Sequence, residues 1–186
     1  MIQPAQLAPT LAVGIAAPEF SKEATDGGTY SLSALRGKWV VLEWYNPSCP
    51  FTRRHYEGGN LPRLQREWTK RGVVWLTVSS TVRAERAAEF ARRQHAAATA
   101  ILMDLDGATA QAYHAKTSPH IFVINPSGVL VYNGALDDSP DSDGSGRPAV
   151  RNFVSAALAD GMAGRPIATA TSEPYGCTVL YSPQPK

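Results

Sequence analysis

Short apolar runs alternate along this chain with glycine-, proline- and polar-rich breaks, and the spacing of the two predicts the elements. Trp39 to Tyr45 is an apolar run interrupted only by Glu43, with the length and residue types of a buried strand. Asn46-Pro47 ends it. A helix is predicted to open after Cys49, with Pro50 at its first position, where proline has no N–H to leave unpaired and a φ already helical. That helix should break at Gly58-Gly59-Asn60, resume around Pro62 and end at Gly72. Upstream, Phe20–Thr25 and Thr29–Leu32 flank Asp26-Gly27-Gly28 and read as a hairpin, followed by one turn at 33–37. Downstream, Val73–Ser79 is a second buried strand, and Ser80 or Thr81 is expected to cap a helix over 82–95. Strands follow at Ala100–Met103, His120–Ile124 and Val129–Tyr132, with a short helix at Thr109–Ala115. Asp137–Gly146 reads as a polar loop, Val150–Ala159 as the last helix, and the tail from Pro166 as irregular, with a short strand at Thr178–Tyr181.

The order is a hairpin, then β-α-β-α-β-α, then β-β-α. This is an α/β chain whose central mixed sheet is flanked by helices: the alternating middle implies parallel strands joined by right-handed crossovers, and the late hairpin adds antiparallel ones. The division expected is an irregular lead-in over 1–17, one domain over 18–165 and a C-terminal tail over 166–186.

Composition narrows the classes. A chain of 186 residues with 44% hydrophobic residues can build one sizeable core. The formal net charge of +2 is too small to argue for a nucleic acid or a membrane surface as partner. No run reaches the roughly 18 apolar residues that span a bilayer. Met1–Leu7 lacks the charged start and apolar core of a signal peptide, so the chain as written reads as cytoplasmic; an Ala/Pro-rich start also suits the trimmed form of a periplasmic protein. Two cysteines do not make a disulfide framework or a cysteine-rich zinc site, and His55, His95, His114 and His120 show no metal-ligand spacing. Asp138–Gly144 has part of a calcium-loop pattern but no closing glutamate, and reads as a solvated turn. No cofactor or metal is implied.

The candidate chemistry gathers around Cys49. At a helix N-terminus its sulfur faces unpaired N–H groups and the positive end of the helix dipole, both of which favour the nucleophilic thiolate. Thr52, three residues on, can donate to the sulfur, and Arg53, one turn along, adds positive charge. On this reading Cys49 is partly exposed and alkylates faster than Cys177; the alternative is a buried structural thiol. Glu43 is either a buried acid with a raised pKa, suited to proton handling, or an edge-strand residue that reaches water. Pro119, after Ser118 and directly before a strand, is either a strand-start trans proline or a cis one. Cys177, beside Gly176 in the tail, can swing to Cys49 and close a bond, or can be a thiol tucked under a C-terminal strand.

Four stretches together resemble the thioredoxin fold and, more narrowly, the peroxiredoxin-like redoxin family of bacterial thioredoxin-fold proteins. They are Glu43-Trp44-Tyr45-Asn46-Pro47-Ser48-Cys49-Pro50-Phe51 with His55-Tyr56, then Gly72-Val73-Val74-Trp75-Leu76, then Lys116-Thr117-Ser118-Pro119-His120-Ile121-Phe122-Val123-Ile124, and Pro174-Tyr175-Gly176-Cys177. The similarity spans roughly residues 14–181. It implies that Cys49 is the attacking cysteine, Glu43 the buried acid that serves it, and Pro119 the cis-proline that presents backbone to substrate, with Ser118, Pro50 and Arg53 at the substrate surface. Thr52 stands where thioredoxin has its second cysteine, so the motif is a CxxT variant and Cys177 becomes the candidate resolving thiol. The peroxiredoxin signature Pro-x-x-x-Thr-x-x-Cys is not met: Tyr45, Cys49 and Thr52 occupy its three fixed slots. The expected activity is thiol-disulfide exchange with a protein or small-molecule disulfide or thiol, driven by a thiol reductant the sequence does not identify. The alternatives are a weak thiol peroxidase and a redox-silent peptide-binding module.

Overall fold

The structure, a computed structural model, describes residues 11–141 and 151–180. In chain order its elements are β1 (Ser21–Glu23), β2 (Thr29–Ser31), a 3-10 turn (Ser33–Leu35), β3 (Val40–Trp44), α1 (Pro50–Glu57), α2 (Asn60–Lys70), β4 (Val74–Ser79), α3 (Ala84–Arg93), β5 (Ala100–Met103), α4 (Ala108–Ala112), β6 (Thr117–Ser118), β7 (His120–Ile124), β8 (Leu130–Gly134), α5 (Phe153–Met162) and β9 (Cys177–Thr178). Five strands form the central sheet in the order β5-β4-β3-β7-β8, while β1-β2 and β6-β9 are separate two-stranded pairs. β3 runs parallel to β4, and β4 to β5, whereas β7 is antiparallel to both β3 and β8. The fold is thioredoxin-like, with the hairpin β1-β2 before it.

β3 lies in the middle of the sheet and is buried along its whole length. Side chains alternate across a strand, so Val40, Leu42 and Trp44 enter one core cluster with Phe20, Tyr113 and Phe122. Val41 and Tyr45 enter the other, with Tyr56, Leu64, Trp68 and Trp75. Covering both faces is what makes such a strand read as a continuous apolar run. The same alternation puts Glu43 on the face covered by α1 and α2.

Several boundaries differ from expectation for local reasons. α3 starts at Ala84, and its N-cap Arg83 makes no side-chain cap. Ser80 is diverted instead: its hydroxyl accepts from Trp44 Nε1 at 3.2 Å and donates to Asp104 Oδ2 at 3.1 Å. Asp104 in turn accepts from the backbone N–H groups of Thr109 and Ala110, both at 2.9 Å, at the start of α4. α4 stops at Ala112 rather than Ala115. α2 resumes at Asn60, directly after Gly59, whose φ of 74° is the left-handed conformation that reverses one helix into the next. β8 begins at Leu130, after a register shift at Val123/Ile124. α5 starts at Phe153, capped by Asn152 Oδ1, which accepts from Ser155 N at 2.8 Å. The start of this helix expected at Val150, the second half of the 137–146 loop with the end of its calcium-like pattern, the lead-in up to residue 10, and Tyr181 lie outside the described residues.

The tail is tied to the sheet edge. Asn133 of β8 donates its N–H to Ala170 O at 3.1 Å and accepts from Ser172 N at 3.2 Å. The Ser172 hydroxyl lies 2.6 Å from Tyr132 OH and accepts from Ala135 N at 2.9 Å. β9 then pairs antiparallel with β6, which sets Cys177 opposite Ser118. Val179 N donates to Lys116 O at 2.9 Å.

Candidate active site

Cys49 is the N-cap of α1, Pro50 follows at the first helical position, and Arg53 N closes the first turn on Cys49 O at 2.9 Å. The Cys49 sulfur is bonded to that of Cys177, across 128 residues and with the two Cα atoms 5.9 Å apart. Cys49 is therefore only 1% exposed, not partly exposed as expected, because the β9 strand lies over it. The half-buried Cys177 is the outer sulfur of the pair. Its approach depends on Gly176, where φ is +141° and a Cβ would overlap the Ser118 carbonyl.

Ser118 and Pro119 are both buried, and the bond between them is cis. The Ser118 carbonyl oxygen lies 3.0 Å from the Cys49 sulfur. His120 braces this corner. Its Nδ1 accepts from Lys116 N at 3.1 Å and its Nε2 lies 2.7 Å from Asn133 Oδ1. Burial pushes the His120 pKa down to about 4, so the ring is neutral near pH 7.

Glu43 is fully buried on the central strand, which excludes the edge-strand alternative. It accepts from Tyr56 OH at 2.7 Å on one oxygen, and from Trp75 Nε1 at 2.7 Å and Gln65 Nε2 at 3.0 Å on the other. Gln65 is itself held by Ala97 N at 2.8 Å. Burial raises the Glu43 pKa, and the three hydrogen bonds oppose that shift without cancelling it. Its hydrogen bonds go to these three residues rather than to Cys49 or Thr52.

Thr52 is fully buried and its hydroxyl has no hydrogen-bond partner among the described residues, the Cys49 sulfur included. Arg53 is exposed and folds back on Glu57, with Nε and NH2 2.9 and 2.7 Å from Oε1. Its charge is thus offset rather than aimed at the sulfur. Pro50 is exposed beside the disulfide. Ser48 accepts from Arg86 NH2 at 2.7 Å, and Arg86 helps line a cavity of about 260 Å³ with Pro47, Arg53, Glu57 and Phe90. A second cavity of about 270 Å³ is bordered by His114, Lys116, His120 and Asn133. The structure thus gathers Cys49, Thr52, Ser118, Pro119 and Cys177 in one place. Glu43 sits one layer below, and Arg53 is turned aside.

Sequence reasoning missed a polar cluster at the next turn of α1. Arg54 NH2 and His55 Nε2 lie 3.3 and 3.0 Å from Tyr175 OH, and that phenol donates to Asp137 Oδ1 at 2.5 Å. The His55 pKa falls to about 4, chiefly through burial, with Arg54 lowering it and Asp137 raising it. The available signal was adjacency: Tyr175 precedes Cys177 by two residues, and His55 shares the helix of Cys49.

No helix among the described residues is long and apolar enough to cross a membrane. No curated protein matches the chain. Among solved structures, a hypothetical protein from Sinorhizobium meliloti is similar at 20% identity and TM-score 0.82, covering 94% of this chain and 97% of that one. A conserved protein from Geobacillus kaustophilus is similar at 24% identity and TM-score 0.82, covering 97% and 96%. The thioredoxin domain of a thiol-disulfide oxidoreductase from Bacteroides vulgatus is similar at 21% identity and TM-score 0.57, covering 67% and 89%. At these identities the likeness speaks to the fold. The model of the AhpC/TSA family matches residues 13–133, the stretch that carries Glu43, Cys49 and Pro119. With that match over most of its length and its thioredoxin-like sheet, the chain belongs to the AhpC/TSA family.

Proposed function

We propose that this protein is a thiol-disulfide oxidoreductase that cycles between a Cys49–Cys177 disulfide and the dithiol. The observation that carries the reading is the bond itself, closed at the N-terminus of α1 against the cis Ser118–Pro119 corner. In the forward direction the Cys49 thiolate attacks a substrate disulfide, a substrate thiolate leaves, and Cys177 attacks the mixed disulfide to release the second substrate thiol. Two electrons pass to the substrate and the protein is left oxidised. An external thiol restores it: two thiols become one disulfide and the protein regains both S–H groups. The start of α1 stabilises the thiolate. The unpartnered Thr52 hydroxyl is the donor available to that thiolate once the bond opens. Glu43, held protonated more readily by burial, takes part in moving the proton of Cys49. Pro50, exposed beside the disulfide, and the backbone at Ser118-Pro119 border the position a substrate disulfide takes. The substrate is a protein or small-molecule disulfide.

Family membership favours a second reading, a weak thiol peroxidase. Peroxide would oxidise Cys49 to a sulfenic acid, and Cys177 would displace water from it to give the same disulfide. One pair of assays separates the readings. With Cys177→Ser, a disulfide substrate should trap a mixed disulfide at Cys49, and the wild-type protein should equilibrate with glutathione buffers. Peroxide consumption that outpaces disulfide exchange would favour the peroxidase. A bond inert to both would leave only a structural staple.

A further inference from the structure

The segment carrying Cys177 is fastened to the helix that carries Cys49. Tyr175 OH donates to Asp137, accepts from Arg54 NH2 of α1 at 3.3 Å, and lies 3.0 Å from His55 Nε2 of the same helix. Its ring packs against Phe51, also of α1, with centroids 6.0 Å apart. Arg54 is fixed in turn by Ser139 O at 2.7 Å, and His55 and Asp137 are 3% and 2% exposed. The outer ends of the segment are anchored elsewhere, at Ser172 on β8 and at Val179 on Lys116. Between those anchors, Tyr175 makes the side-chain hydrogen bonds that reach α1.

We propose that Tyr175 is the positioning residue of the redox couple: its phenol, seated between Asp137, Arg54 and His55, keeps the tail docked on α1 when the bond is open and so holds Cys177 opposite Cys49 for reclosure. This inference rests on reading Cys49 and Cys177 as a redox pair. Burial, followed by the bond to Asp137, raises the Tyr175 pKa, so the phenol stays protonated and able to donate. A docked tail presents the second thiol at a high effective concentration, as any pre-positioned group does. The consequence separates positioning from mere support. The oxidised form makes these contacts in full, because the covalent bond holds the tail in place. The reduced form needs the contacts to stay docked and, without them, regains freedom by undocking. Losing the phenol therefore weakens the oxidised form more than the reduced one and shifts the equilibrium toward the dithiol. A phenol that merely supports the fold weakens both forms equally and shifts nothing.

The test is Tyr175→Phe, equilibrated with reduced and oxidised glutathione and read by mass after acid trapping, together with the iodoacetamide rate of Cys177 in the fully reduced protein. One oxidised glutathione takes up two electrons from the dithiol and yields two reduced glutathiones. Tyr175→Phe should lower the equilibrium constant for bond formation about ten-fold, equivalent to about 30 mV, and Cys177 should alkylate several-fold faster than in wild type. An unchanged constant and an unchanged alkylation rate overturn the positioning role while leaving the redox pair standing. A wild-type protein that never closes the bond in any glutathione buffer overturns the redox reading, and the positioning role with it. If Tyr175→Phe does not fold, Asp137→Asn, which weakens the acceptor of the same phenol, carries both readouts with the same expected direction and the same refuting result.

Discussion

Opening the Cys49–Cys177 bond should cost this fold a large part of its stability. The bond closes a loop across 128 residues. In the chain-entropy treatment a loop of that length restricts the denatured chain by about 5 kcal/mol at 25 °C. The same free energy, taken round the thermodynamic cycle, is the amount by which the fold favours the bond over its formation in the denatured chain, about three to four decades in equilibrium constant. For a chain of this size, a loss of about 5 kcal/mol should lower Tm by roughly 10–20 °C. The assay is guanidinium denaturation of the oxidised protein, the dithiothreitol-reduced protein and Cys177→Ala under oxidising conditions, followed by tryptophan fluorescence. Reduced protein and Cys177→Ala should agree with each other and fall well below the oxidised form. The oxidised form should also show a shallower m, because a cross-linked denatured chain exposes less surface. Unfolding free energies that agree to within about 1 kcal/mol between oxidised and reduced protein would refute the reasoning, since the bond would then not restrict the denatured chain as its loop length requires.

Acid should destabilise the protein through two buried histidines. His55 and His120 both titrate near 4 in the folded protein instead of 6.5. The neutral ring is what the fold prefers, so their contribution is present above pH 6.5 and is lost as pH falls from there toward 4. This amounts to about 2 kcal/mol each between pH 7 and pH 5; a denaturation midpoint flat over that window would contradict it. Thr52→Val should leave the oxidised protein as stable or slightly more so, because it removes a buried hydroxyl with no partner. In the Cys177→Ser background it should raise the Cys49 thiol pKa, read from thiolate absorbance against pH, and no change there would deny the hydroxyl its role. Gly176→Ala should disturb the β6–β9 pairing, since a Cβ overlaps the Ser118 carbonyl at a φ of +141°. The fraction oxidised at a given glutathione ratio should fall, and wild-type behaviour would show that the strand has room to move.

Residues near one another in the chain carried most of the fold in their order alone. The apolar run at 39–45, the proline at 50, the glycines at 58 and 59 and the alternation that follows report backbone conformation and burial, which are local properties of a segment. They located β3, the start of α1 and the α1-α2 break to within a residue or two. What those signals do not contain is the identity of a distant partner. Glu43 could be seen to need partners, but Tyr56, Gln65 and Trp75 come from 13, 22 and 32 residues away and meet only because α1, α2 and β4 pack on one face of the sheet. Ser80 could have capped a helix; packing instead brought Trp44 and Asp104 to its hydroxyl. Arg53 was placed correctly one turn from Cys49, yet Glu57 captured its side chain. Above all, two cysteines in one chain left both a fixed and a swinging tail open. The pairing of β9 with β6, the glycine at 176 and the anchoring of Tyr175 on α1 decided it, and each joins segments tens of residues or more apart. Local pattern sets which segments are strands and helices and which faces they bury; which thiol lies under which strand is a property of the closed chain, because only there does the entropy spent on long-range contacts meet the contacts that offset it.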